Sequence, residues 1–101
     1  MFVDRRTFRI KAGRMQEMIA LAEAQREPFL QGRGGAGGLR YLVNKVATFD
    51  TFVFESEWNS LAEWEAYWEE WRSRPESAEF GRKLAELLES GGEHQFWTIV
   101  E

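Results

Sequence analysis

The spacing of apolar residues switches between two periods along this chain, and that switching limits its fold more than any other feature. In residues 2–10, "FVDRRTFRI", Phe2, Phe8 and Ile10 share one side of an alternating pattern, as in a half-buried strand. Over "KAGRMQEMIALAEAQRE" the period lengthens. Met15, Met18, Ile19 and Ala22 stand at i, i+3, i+4 and i+7, one stripe of an amphipathic helix, with Gly13 near its start. Pro28 has no amide to donate and is expected to end or kink this helix. "LRYLVNKVATF" and "TFVFESEW" are rich in β-branched and aromatic residues and predict two strands, joined by a hairpin turn around Asp50.

A second helical region begins at "NSLAEWEAYWEEWRSR", where Ser60 and Glu63 have the spacing of a capping box. Leu61, Trp64, Trp68 and Trp71 form its apolar stripe. Pro75 interrupts it, and "PESAEFGRKLAELLES" resumes as a new helix with Phe80, Leu84, Leu87 and Leu88 facing inward. Gly91 and Gly92 are expected to stop that helix, and "EHQFWTIV" to form the last strand. The order is β–α–β–β–α–(α)–β. It predicts an α+β fold of ferredoxin-like arrangement, a four-stranded antiparallel sheet with helices on one face, in a single domain over 1–101.

"QGRGGAGGLRYLV" raises a different possibility, because Gly32, Gly34 and Gly37 satisfy G-x-G-x-x-G and Asp50 follows downstream. A dinucleotide-binding turn must follow a strand and open a helix, whose N-terminus holds the pyrophosphate. Here the tract follows a helix and opens a strand. Five of the seven residues 32–38 are glycine, so the pattern is matched by density alone. The tract is expected to be a mobile connector.

Composition removes further classes. No cysteine is present, which excludes disulfides, thiolate nucleophiles and zinc–cysteine sites. One histidine, His94, gives little basis for a metal site, and no metal or cofactor is expected. The net charge of −4 argues against nucleic acid, and the basic cluster Arg5, Arg6, Arg9, Lys11 and Arg14 is split between strand faces. No apolar run approaches the roughly 20 residues needed to span a bilayer. Charges in "MFVDRRTFRIKAGR" stand where a secretory signal needs its apolar stretch, so the expected setting is cytoplasmic.

Both faces of the predicted strands carry apolar side chains, whereas helices in this order cover only one. Leu42 and Val46 oppose Tyr41, Val43 and Ala47; Phe52, Phe54 and Trp58 oppose Val53; Phe96 and Val100 oppose Trp97 and Ile99. At about 25 cal/mol per Å², leaving such a face in water forgoes several kcal/mol. A second copy is the simplest cover, and a homodimer is expected. Arg5, Arg9, Lys45, Glu55 and Glu57 would then be partly enclosed.

"VDRRTFRIKAGRMQEMIAL" resembles the opening signature of NIPSNAP-domain proteins, and "EWNSLAEWEAYWEEWRSRPESAEFGRKL" is similar to their second helical region. Together with the strand order, the resemblance covers nearly the whole chain. Arg5 stands where that family commonly has an aliphatic residue, Phe8 where it has tyrosine and Ala12 where it has proline. The resemblance implies the dimeric α+β barrel fold, whose relatives include cofactor-free antibiotic-biosynthesis monooxygenases and haem-degrading monooxygenases. It also implies a ligand site between the sheet and its helices. Haem-degrading relatives place a histidine on the second helical region and an asparagine on strand one. Leu84 and Arg6 stand there in this chain, which argues against haem degradation.

Alternation puts Asp4, Arg6 and Phe8 on the same face as Ile10, taken as the helix-covered face. A buried charge needs a partner, so Asp4 and Arg6 either satisfy each other or Arg6 holds an anionic group on a ligand. Trp64, Tyr67, Trp68 and Trp71 form either core or an aromatic pocket for a planar ligand, and Tyr67 carries a hydroxyl able to orient it. His94, placed at the start of the last strand beside a glycine turn, is expected neither to ligate haem nor to act as a base. Two functions fit: a homodimer that binds a small apolar or aromatic ligand or a partner protein, and a cofactor-independent monooxygenase of a quinol-type aromatic substrate. The second needs a base, with Asp4, Tyr67 and His94 as the candidates.

Overall fold

The computed structural model describes residues 1–31, 38–44 and 49–100. Strand β1 (Phe2–Ile10) is followed by helix α1 (Met15–Leu30), strands β2 (Leu39–Val43) and β3 (Thr51–Trp58), helices α2 (Leu61–Arg72) and α3 (Pro75–Leu87), and strand β4 (Leu88–Thr98). The strands form one antiparallel sheet in the order β2-β3-β1-β4. The helices pack on one face of it, the ferredoxin-like arrangement expected from the order of periods. No helix among the described residues is long and apolar enough to cross a membrane.

The covered face divides into two clusters. Ile10, Met18, Ala22, Phe52 and Leu87 make an aliphatic-rich core, while Phe29, Trp58, Tyr67, Trp68 and Trp71 make an aromatic one. The predicted stripe of α1 supplies Met18 and Ala22, with Met15 and Ile19 half-buried beside them. Leu61 is half-exposed at the start of α2 rather than part of its inward stripe.

Pro28 does not end α1, which runs to Leu30 with the proline inside its last turn. Two carbonyls that a helix end leaves without intrahelical partners are met by side chains instead. Arg74 Nη1 donates to the Pro28 carbonyl at 3.0 Å, and Tyr67 Oη donates to the Phe29 carbonyl at 2.6 Å. Burial of Phe29 among Tyr67, Trp68 and Trp71 holds the turn in place.

Gly91 and Gly92 do not stop α3. The helix ends at Leu87, and the chain enters β4 at once, so Leu88 pairs with Ile10 in the sheet and both glycines lie inside the strand. A Cβ on Gly92 would stand 2.0 Å from the Thr7 carbonyl oxygen, and the β1–β4 register shifts just beyond this point. The glycine is required by close backbone approach at an irregularity in the ladder. One consequence is that His94 lies mid-strand, opposite Arg6, and not at a strand start.

The turn expected at Asp50 is present, with φ at 57°, and Asn44 Oδ1 accepts from the Thr51 amide. The capping box forms by half: Ser60 Oγ accepts from the Glu63 amide at 3.1 Å, but Glu63 Oε2 accepts from Asn59 Nδ2 instead of returning to Ser60. Strand β2 is shorter than "LRYLVNKVATF", and Lys45, Val46 and Ala47 lie outside the described residues, as do residues 32–37 of the glycine tract.

Candidate functional site

A half-open cavity of about 350 Å³ lies between the sheet and the helices, at the seam of the two core clusters. Phe8, Tyr41 and Leu84 come from the aliphatic side; Phe29, Trp64, Trp68 and Trp71 come from the aromatic side; Phe54 packs against both. Helix α2 presents Trp64, Trp68 and Trp71 to it because these positions recur at three- and four-residue spacing. Alternation along β1 delivers Arg6 and Phe8 to the same space.

Arg6, Phe8, Trp64, Trp68 and Trp71 therefore come together as the sequence predicts. Asp4 and Tyr67 do not line the cavity. Tyr67 is buried against Trp58, with ring centroids 5.2 Å apart, and its hydroxyl is committed to the end of α1. It lies one 100° step from Trp68 on α2, enough to carry it from cavity wall into core.

Asp4 is fully buried and acts as a junction. Its Oδ2 accepts from Trp64 Nε1 at 2.8 Å, and its Oδ1 faces His94 Nε2 at 2.7 Å. Arg6, the partner expected from sequence, reaches Oδ2 only at 3.4 Å, beyond the 2.7–2.9 Å of a strong charge-assisted bond. The Arg6 guanidinium instead lies over the Trp68 ring, 4.2 Å from its centroid. Arg6 Nε and Trp68 Nε1 are both buried without a hydrogen-bond partner. An unmade bond of this kind costs about 1–3 kcal/mol.

Sequence reasoning counted His94 among the candidate bases but missed its contact with Asp4. Its ring packs edge-on to Phe96 at 4.9 Å and lies 6.1 Å from Trp64. With Nε2 donating to Asp4, the neutral ring carries its lone pair on Nδ1, so Asp4 fixes the tautomer. It also missed Tyr41, Phe54 and Gln25, which sequence separation hid from the α2 stripe. Tyr41 donates its hydroxyl to the Ala22 carbonyl at 2.9 Å, and burial pushes its pKa up to about 12. It is a donor at neutral pH, not a base. Among the described residues no group of three or more histidines or carboxylates is placed to hold a metal ion.

No protein-family model matches this chain, and no curated protein matches its sequence. Solved structures do match. A NIPSNAP domain protein from Burkholderia xenovorans, itself uncharacterised, superposes with a TM-score of 0.82 at 22% identity, covering 99% of this chain and 95% of that one. A NIPSNAP family protein from Agrobacterium tumefaciens gives 0.80 at 22% identity, covering 99% and 93%. An antibiotic biosynthesis monooxygenase gives 0.77 at 15% identity over 100% of both chains. The chain therefore has the α+β fold found in NIPSNAP family proteins and in antibiotic biosynthesis monooxygenases.

Proposed function

We propose that this protein is a homodimer that binds a small apolar or aromatic ligand between its sheet and its helices. The observation that carries the reading is the cavity itself: about 350 Å³, walled largely by aromatic rings, with few polar groups to fix a ligand's orientation. A dry core has no use for an open space of that size, since packed interiors leave few voids larger than a water molecule.

The second copy is supported by the face of the sheet that the helices leave uncovered. Val3, Leu42, Val53 and Trp97 lie there, Leu42 and Trp97 with about half their surface exposed. Register places three arginines (Arg5, Arg9, Arg40) and three glutamates (Glu55, Glu57, Glu93) on the same face. A face that is formally neutral and part apolar can meet its own copy without stranding net charge.

Native mass spectrometry of freshly purified protein tests both halves of the proposal. A dimer carrying a reproducible extra mass is expected. A clean monomer removes the dimer, and a dimer that neither retains a mass nor takes up apolar dyes removes the ligand.

The alternative, a cofactor-independent monooxygenase of a quinol-type aromatic substrate, is favoured by one observation, the Asp4–His94 contact. Of the three candidate bases, Asp4 is buried under its donors and Tyr67 is committed to a carbonyl, which leaves His94 Nδ1 to take a proton. His94 does not line the cavity, so the binding reading stands first. Oxygen uptake with a panel of quinols, lost in His94→Gln, would reverse that order.

A further inference from the structure

Among the described residues, four buried side-chain atoms lack a hydrogen-bond partner: Arg6 Nε, Gln25 Oε1, Glu63 Oε1 and Trp68 Nε1. Three of the four belong to Arg6, Gln25 and Trp68, which line the cavity. Buried polar groups are nearly always paired, so three orphans on residues that line one space mark a wall whose polar groups are incompletely satisfied. Two of the three are donors.

Charge points the same way. Among the described residues Arg6 and Arg72 line the cavity and no aspartate or glutamate does, although the chain as a whole carries −4. Asp4 offsets part of the Arg6 charge from 3.4 Å, while its short contacts are to Trp64 and His94. Arg72 is exposed. The Trp68 ring beneath the Arg6 guanidinium holds the cation in a fixed plane without neutralising it.

We propose that the ligand is an aromatic carboxylate, its ring lying among Phe8, Phe54 and Trp71 and its carboxylate meeting the unused donors of Arg6. This deepens the ligand-binding reading and rests on it. One planar guanidinium, partly offset by Asp4, matches the single charge and two coplanar oxygens of a carboxylate. A phosphate dianion would meet one guanidinium partly offset by Asp4 and a second, Arg72, that is exposed and screened by solvent. Trp68 Nε1 lies within the same group of side chains as a second donor, and Gln25 can accept from a ring hydroxyl.

The test is calorimetric titration of the purified protein with 2-naphthoate, 2-naphthamide and 2-naphthyl phosphate. The amide keeps the ring and nearly the shape of the acid, removes its charge and puts an NH2 donor in place of one acceptor oxygen. The acid is expected to bind about tenfold or more tightly than the amide, with the advantage shrinking at high salt. Arg6→Gln should bring the acid down to about the amide's affinity and change the amide far less. Arg72→Gln, at an exposed position, should weaken the acid only two- to threefold, by roughly the effect of a solvent-screened charge.

Equal binding of acid and amide by the unaltered protein overturns the carboxylate and leaves the ligand reading standing. So does tighter binding of the phosphate. An acid preference that survives Arg6→Gln overturns the role of Arg6. If none of the three binds, the ligand reading falls with it. The comparison of acid with amide needs no variant, so a misfolded Arg6→Gln protein leaves the proposal open to refutation.

Discussion

Arg5 and Arg6 are neighbours in sequence, point to opposite faces of the sheet and each approach a buried carboxylate, yet their surroundings differ. On the uncovered face Arg5 Nε meets Glu55 at 2.6 Å, and Arg40 Nε reaches the other oxygen of Glu55 at 2.7 Å. On the covered face Asp4 is held by the N–H groups of Trp64 and His94, and Arg6 is left at 3.4 Å. Geometry explains the difference. Glu55 stands directly across the ladder from both arginines, whereas Asp4 precedes Arg6 by two residues on the same strand. The open face meets its buried carboxylate with two arginines at short range, and the covered face holds its arginine at the margin of a carboxylate already met by two other groups.

The comparison breaks first at Asp4. Replacing it with alanine takes the acceptor from the half-buried N–H of Trp64 and from Nε2 of the partly exposed His94, two hydrogen bonds to a charged group, at an expected cost of about 3 kcal/mol in unfolding free energy. Asp4→Asn should cost less, because its amide oxygen still accepts one of those bonds. Urea unfolding at fixed protein concentration reads both. A loss below about 1 kcal/mol for Asp4→Ala would show that Asp4 is not the junction the distances describe.

If the open face is an interface, a lone acid at its centre should split the dimer. Val53 lies on the central strand β3, so Val53→Asp places one unpaired carboxylate from each copy in the contact. The dissociation constant is expected to rise about a hundredfold, or roughly 2.7 kcal/mol. Sedimentation equilibrium measures it. An unchanged constant would assign the dimer contact to another surface.

How much of this could be read in the sequence follows from which interactions are local. Alternation along β1 is local, and it put Asp4, Arg6, Phe8 and Ile10 on one face. Helical spacing is local too, and it gathered Trp64, Trp68 and Trp71. The partners of Asp4 are not local: Trp64 is 60 residues away and His94 is 90, brought together by strand register that no periodicity encodes. Gly92 misled for the same reason. Its role is to clear the Thr7 carbonyl on a strand at the other end of the chain, and in sequence it looks like any helix stop. Tyr67 shares a helix with the cavity residues, and only the position of the Phe29 carbonyl shows that its hydroxyl is taken.

Glu55 sharpens the contrast through pH. Burial pushes its carboxyl pKa up, but the hydrogen bonds from Arg40 and Arg5 outweigh burial, and the net value lies below the usual 4.5. A carboxyl whose folded pKa is depressed stabilises the fold above the unfolded value, and that stability is lost as pH falls through the folded one. Glu55→Gln should therefore cost about 1–2 kcal/mol near neutrality, a modest figure because Arg5 and Arg40 are largely solvent-exposed. The difference between the two proteins should shrink as pH drops below 4.5. A difference that stays constant from pH 7 to below 4 would mean that the cross-strand cluster contributes nothing through its charge.

The smallest expected effect separates core from site within α2. Tyr67→Phe removes the 2.6 Å bond to the Phe29 carbonyl and keeps the ring that packs on Trp58. One hydrogen bond lost at the end of α1 should cost about 1 kcal/mol. Affinity for 2-naphthoate should not change, because Tyr67 does not line the cavity. Stability should fall while binding holds. The opposite pattern, intact stability with weakened binding, would return the Tyr67 hydroxyl to the ligand and place it beside Arg6 as a polar contact of the site.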